Sequence, residues 1–170
     1  LCLSVFWWAE FRRTKGGIKL HTLYDVKTSI PTFLHISNAK VHDVNILDLI
    51  QYEAGSFYVV DKAYVDYRRL YRLHSQGSFF VTRAKDNMRF KRMYSNPVEK
   101  EQGVSYDKLG KMEPNYPKQA YPDTLRRIKH YDKETDEELI FLTNNTNFTA
   151  IDVATLYTNY RKEEICFHRI

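Results

Sequence analysis

The sequence has few cysteines, few glycines and no long apolar run. Cys2 and Cys166 are the only cysteines among the 170 residues, and they lie at opposite ends with neither metal-ligand spacing nor a disulfide framework. A reducing compartment is therefore favoured. The longest apolar run is far too short to cross a bilayer, so no membrane partner is expected. The six glycines include no phosphate-binding loop and no nucleophile elbow.

Positive charge is concentrated in one part of the chain. The formal net charge is +5, and 43% of the residues are apolar, which excludes a disordered chain. Residues 61–100 hold ten Lys/Arg against four acids, whereas residues 101–170 hold ten against twelve. An anionic partner is one interpretation of this central basic block, and a solvated basic face is an equally good one.

The hydrophobic pattern predicts an α/β sheet. Residues 19–36 are typical of two strands around a turn at 26–29, and residues 56–61, 79–83 and 139–145 are typical of buried strands. Asp43 is predicted to cap a helix with Ile46, Leu47 and Ile50 on one face. Further helices are expected after Asp66, ending at Gly77, and after Thr149, where Asp152 completes a capping box. Strands that alternate with helices indicate a mixed sheet flanked by helices.

Residues 84–138 differ from the rest of the chain. They hold four of the five prolines, several tyrosines, many charges and few aliphatic side chains. We expect a β-rich or irregular region inserted before the last helix. Several cations in and before it, Arg83 and Lys85 among them, are candidates for phosphate contacts or are plain surface charges.

Two acids are candidates for chemistry. Asp61 follows an apolar strand, where open α/β sheets place ligand-binding groups, but an Asp there also commonly caps the next loop. Glu164 lies seven residues after Tyr157, about two turns along one helix face, with Arg161 between them. On the residues alone, a surface Arg–Glu pair explains Glu164 better. His42 and Asp43 are better explained as a helix start than as a metal pair.

Five segments occur in the order of a known family. FYVVDKAYVDY (57–67) is similar to the second-acid motif of bacterial insertion-sequence transposases of the DDE type. GIKLHTLYD, VHDVN and LTNN stand in the family's order around it. LYTNYRKEEICF (156–167) resembles the helix with the Y-x2-R-x3-E-x6-K signature, although Tyr160 stands at the signature Arg position and Arg161 follows it. Lys62 and Ala63 replace the usual Arg and Gly after the acid.

The resemblance implies a single RNase H-like catalytic-core fragment over residues 1–170, with 84–138 as its β-rich insertion. Asp61 and Glu164 would be the second and third catalytic acids and would bind two Mg²⁺ or Mn²⁺ ions. Tyr157, Arg161 and Lys62 would contact double-stranded DNA at transposon ends or target. The family also implies a possible homodimer and a cytoplasmic, nucleoid-associated location in a bacterium. A binding-only relic of the same fold and a repair nuclease stay open as alternatives.

The resemblance places the first catalytic Asp a few residues before Leu1. We therefore expect this chain alone to show little or no strand nicking on transposon-end DNA with Mg²⁺ or Mn²⁺, because metal placement depends on all three acids. A nicking assay checks this expectation. Robust nicking that Asp61→Ala abolishes would contradict it.

Overall fold

The computed structural model describes residues 10–12, 15–25, 28, 30–85, 88–113 and 121–167, with side chains described from 17 to 160 within those ranges. The chain divides into two compact units, Leu1–Gln51 and Tyr52–Ile170. Each unit is described by itself.

The first unit is built on a hairpin. Strands β1 (Glu10–Arg12) and β2 (Lys15–Gly16) form a short antiparallel pair. Strands β3 (Ile18–Asp25) and β4 (Ile30–Asn38) then pair antiparallel along their whole length, as the sequence predicts.

The two faces of this hairpin differ in burial. His21 is buried, and its Nε2 lies 2.9 Å from Ser37 Oγ. Burial is the main cause that lowers the pKa of His21. On the opposite face, Leu20, Leu34 and Ile36 are each more than half exposed.

The predicted helix after Asp43 is instead a 3₁₀ helix over Asp43–Asp48, and the predicted cap is wrong. Its N-cap is His42, whose side chain makes no capping hydrogen bond. The Asp43 carboxylate accepts a hydrogen bond from Lys19 Nζ at 2.8 Å, which ties β3 to the 3₁₀ turn. Ile46, Leu47 and Ile50 are buried, so the predicted apolar face is confirmed.

The second unit holds one mixed sheet of six strands. Its spatial order is β5-β6-β10-β9-β8-β7, where β5 and β6 run parallel and every other pair is antiparallel. The strands are β5 (Phe57–Val60), β6 (Phe79–Arg83), β7 (Phe90–Ser95), β8 (Val104–Met112), β9 (Leu125–Asp132) and β10 (Glu137–Thr143). The predicted mixed α/β sheet flanked by helices is confirmed. Strands β7, β8 and β9 lie within 84–138, and whether that range is an insertion stays a prediction.

One helix covers each face of the sheet. Helix α1 (Tyr67–Ser75) buries Leu70 and Leu73 against a cluster that includes Phe80 and Leu142, on what we call the α1 face. Helix α2 (Ala150–Phe167) buries Val153, Ala154 and Tyr157 on the opposite side, the α2 face. Because side chains alternate along a strand, β5, β6, β8, β9 and β10 each contribute to both cores, whereas β7 is exposed beyond Phe90.

Helix α1 has the ends that the sequence predicts. The Asp66 carboxylate accepts a hydrogen bond from the backbone N–H of Arg69 at 3.0 Å, which confirms it as the N-cap. The chain leaves the helix through Gly77 at a φ of 78°, a left-handed conformation that glycine adopts at little cost.

A buried ion pair on the α2 face joins β8 and β9 to the loop before α2. Arg126 Nε and Nη2 donate to the two carboxylate oxygens of Asp107 at 2.9 and 2.6 Å, and the two side chains are only 5% and 3% exposed. Arg126 Nη1 also donates to the carbonyl oxygens of Phe148 at 2.5 Å and Asn145 at 3.5 Å. The guanidinium thus fixes the backbone that leads into α2.

Loss of one partner of this pair should be costly. Asp107→Ala leaves a buried guanidinium uncompensated, so we expect the free energy of unfolding to fall by about 3–5 kcal/mol. Denaturant melts measure the change. The double variant Asp107→Leu with Arg126→Met is expected to be more stable than Asp107→Ala, and a double variant no more stable than the single one would contradict this account.

Candidate functional site

Asp61 lies directly after β5, at the carboxyl end of the parallel pair. Its Oδ1 accepts a hydrogen bond from the backbone N–H of Ala63 at 2.9 Å and so caps the short 3₁₀ helix Lys62–Tyr64. Val59 packs on the α2 face and Tyr58 on the α1 face, so alternation assigns position 61 to the α2 face. Asp61 therefore caps the next turn of the chain, which was one of the two roles predicted for it from the sequence. Its second oxygen has no hydrogen-bond partner within the part of the chain that the structure describes, and can bind another group.

Arg83 lies next to Asp61 in the sheet. Val60 pairs with Thr82 in the parallel register, so one further step places Arg83 beside Asp61. Arg83 Nε is buried, and no described residue accepts a hydrogen bond from it. A guanidinium in this position can bind an anion near the carboxylate. From the sequence, Arg83 was only one of several candidate cations, because the register of the strands cannot be read from it.

Tyr157 packs against the sheet from α2. It is 1% exposed, and its ring centroid lies 5.2 Å from that of Phe141. The ring is thus part of the core, and its predicted DNA contact stays a prediction. Lys62 is partly exposed on the 3₁₀ helix after Asp61. Arg161 and Glu164 fall within α2, but their side chains lie outside the described residues.

The LTNN segment fixes the start of α2. The Asn144 side chain accepts from Phe80 N and donates to Ser78 O, both at 2.9 Å, which ties the end of β10 to the start of β6. Asn145 Oδ1 accepts from the N–H groups of Asn147 and Phe148 at 3.0 and 2.8 Å. Two consecutive asparagines after a strand are the signal for this loop, because their amides replace backbone partners.

The predicted capping box of α2 is confirmed. Asp152 N donates to Thr149 Oγ1 at 3.1 Å, while the Asp152 carboxylate accepts from Thr149 N at 3.0 Å and from Thr149 Oγ1 at 2.7 Å. These hydrogen bonds from Thr149 lower the pKa of Asp152.

Helix α2 runs toward the end of the sheet at which Asp61 lies. The loop before the helix contacts Arg126, which pairs with Thr143 at the end of β10. Further along the helix, Tyr157 packs on Phe141, which pairs with Arg83 at the end of β6. Thr155 and Thr158 line a cavity of about 250 Å³ with His130 and Asp132, from the far end of β9. The rest of the helix, through Phe167, continues in that direction.

The described side chains include that of Asp61 but not that of Glu164. No group of three or more His, Cys, Asp or Glu side chains that could hold a metal ion is found among them. Within the same described part of the chain, no helix is long and apolar enough to cross a membrane.

Comparisons with known proteins agree on one family. The family model described as "Transposase DDE domain" matches residues 8–169. A putative transposase, y4zB, of Sinorhizobium fredii is 29% identical over 168 residues, which is 96% of this chain and 46% of that protein. A probable transposase for insertion sequence element IS5377 of Geobacillus stearothermophilus is 32% identical over 81 residues, 48% of this chain and 21% of that protein. This chain thus spans less than half the length of either relative, and no solved structure matches it.

The capping box gives a pH-dependent prediction. Thr149→Ala should lower the free energy of unfolding by about 1 kcal/mol at neutral pH, whereas Thr149→Ser should cost less. Because the pKa of Asp152 is lowered in the fold, its contribution is present above the ordinary value of 3.8 and is lost as the pH falls below it. Melts at pH 7 and pH 3 measure both effects. An equal cost of Thr149→Ala at both pH values would contradict this account.

Proposed function

The chain belongs to the DDE transposase family, and we propose that it forms part of an enzyme that cuts and rejoins DNA phosphodiesters at the ends of an insertion sequence. In this proposal Asp61 and Glu164 are the catalytic, metal-binding acids, which corresponds to the second and third acids of the resemblance. Asp61 directly follows β5, and the proposal puts Glu164, which falls within α2, near the same end of the sheet.

The observation that carries the proposal is this shared edge. Position 61 belongs to the α2 face, and Tyr157 packs on that face at the level of Phe141 and Arg83. Position 164 is seven residues further along α2, roughly 10 Å along the axis and two turns later on the same helix face. In this proposal, two acids that are 103 positions apart in the sequence meet at one end of the sheet.

The donor set fits divalent ions of the Mg²⁺ type, which prefer carboxylate oxygens. When bound, two such ions would activate the attacking water or 3′-hydroxyl and stabilise the leaving oxygen. The free oxygen of Asp61 would hold metal while its Oδ1 keeps the hydrogen bond to Ala63 N, which fixes the orientation of the carboxylate. Arg83 and Lys62 would bind the phosphates of double-stranded DNA on either side of the acid.

A binding-only relic of the same fold is the second candidate. It is favoured by the cap that Asp61 makes, because a cap alone accounts for an Asp at this position. A homodimer and a cytoplasmic, nucleoid-associated location stay predictions of the resemblance.

Metal binding tests the assignment of the acids in this chain. We expect the chain to bind Mn²⁺, measured by loss of the free-ion signal in electron paramagnetic resonance. Asp61→Asn and Glu164→Gln should each weaken that binding by about tenfold or more, because each removes one charged oxygen ligand. Glu53→Gln is the matched control, since Glu53 is exposed and its carbonyl oxygen accepts a hydrogen bond from Ser78 before β6, at the opposite end of the parallel strands.

In the full-length protein, the same two substitutions should abolish both cleavage and joining of insertion-sequence ends. Unchanged Mn²⁺ binding and activity in Asp61→Asn and Glu164→Gln would overturn the assignment. Cleavage without joining would instead identify a nuclease.

A further inference from the structure

A cluster of basic side chains lies on the α1 face, on the neighbouring strands β8 and β9. Tyr106 and Lys108 of β8 lie across from Lys129 and Arg127 of β9 in the sheet register. We name these four residues the β8–β9 basic surface. We propose that it binds the phosphate backbone of duplex DNA, which extends the proposed function to a site that is distinct from the acids.

Two cations of this surface have no acidic partner among the residues that the structure describes. Lys129 Nζ forms an ion pair with Glu138 at 2.8 Å. Lys108 and Arg127, in contrast, pair with no carboxylate in the described part of the chain, although they are direct cross-strand neighbours. Like charges in that position repel each other and destabilise a sheet. An anion placed between them would remove this repulsion.

Arg127 carries a further uncompensated group. Its Nε is buried and has no hydrogen-bond partner within the described ranges. A buried donor without a partner has a free-energy cost, and Arg127 as a whole is only half-buried, so the rest of its guanidinium can donate to a phosphate oxygen. This arrangement therefore lowers the stability of the free protein, and it suits the binding of an anion.

The aromatic ring of the surface points to a backbone ligand rather than to bases. Lys108 Nζ lies 4.0 Å from the centroid of the Tyr106 ring, and Arg127 Cζ lies 6.0 Å from it. These cation–π contacts hold the two cations side by side and cover the ring, which leaves its face unavailable for base stacking. Lys and Arg side chains held in this way can contact phosphates, and phosphate contacts do not read the base sequence.

The test measures duplex binding by fluorescence anisotropy in EDTA, so that its outcome does not depend on the metal site. The probe is a mixed-sequence DNA duplex, titrated from low to moderate salt. We expect the double variant Lys108→Gln with Arg127→Gln to bind about tenfold more weakly or worse. The slope of log affinity against log salt should fall by about one for each cation removed. A duplex of scrambled sequence should bind equally well.

The control is the double variant Lys100→Gln with Lys133→Gln, which removes the same charge from exposed positions outside these strands. It should weaken binding much less. Equal losses of DNA affinity in the two double variants, or no duplex binding by the wild-type chain, would overturn the proposal that this surface binds DNA. Either result leaves the Mn²⁺ measurements on Asp61 and Glu164 as a separate test of the proposed function.

Lys108→Glu separates binding from folding. The new carboxylate would face Arg127, so we expect a higher melting temperature together with weaker DNA binding. A variant that melts lower and binds as the wild type does would contradict the proposal. Arg127→Lys, which keeps the charge, should retain most of the binding.

Discussion

The bidentate pair between Arg126 and Asp107 is the contact on which the arrangement of the second unit depends. It lies on the α2 face, where β8 and β9 are already joined by backbone hydrogen bonds, and it adds a link to the carbonyl oxygens of the loop before α2. A buried guanidinium tolerates few positions, because each of its donors requires an acceptor. The start of α2 is therefore fixed relative to the sheet, and so is the direction in which the helix carries Glu164.

The two faces of the sheet have different uses. On the α2 face, the Arg126–Asp107 pair and the loop at Asn145 hold the start of α2 in place, and Asp61 lies at the end of β5. The α1 face is apolar under α1 and basic over β8 and β9, where Lys108 and Arg127 lack carboxylate partners among the described residues. Strands with a period of two allow one sheet to present both chemistries.

Much of the fold could be predicted from local sequence. The hairpin, the Asp66 cap, the capping box at Thr149 and the strand before Asp61 each depend on residues within a short window, and the structure confirms them. The Asp43 cap was wrong because its partner, Lys19, lies 24 positions away. The same limit hid Arg83 beside Asp61 and Arg127 beside Lys108. Both neighbours follow from strand register, which long-range packing decides.

The order of the strands also bears on how the sheet assembles. Strand β10 lies between β6 and β9, yet among the described strands it comes last in sequence order. Until residues 137–143 have been synthesised, β5 and β6 on one side and β7, β8 and β9 on the other have no strand to join them. Each half then exposes a strand edge, which is prone to pairing with other chains. Completion of the sheet is thus a late, non-local step, and topologies of this kind fold slowly.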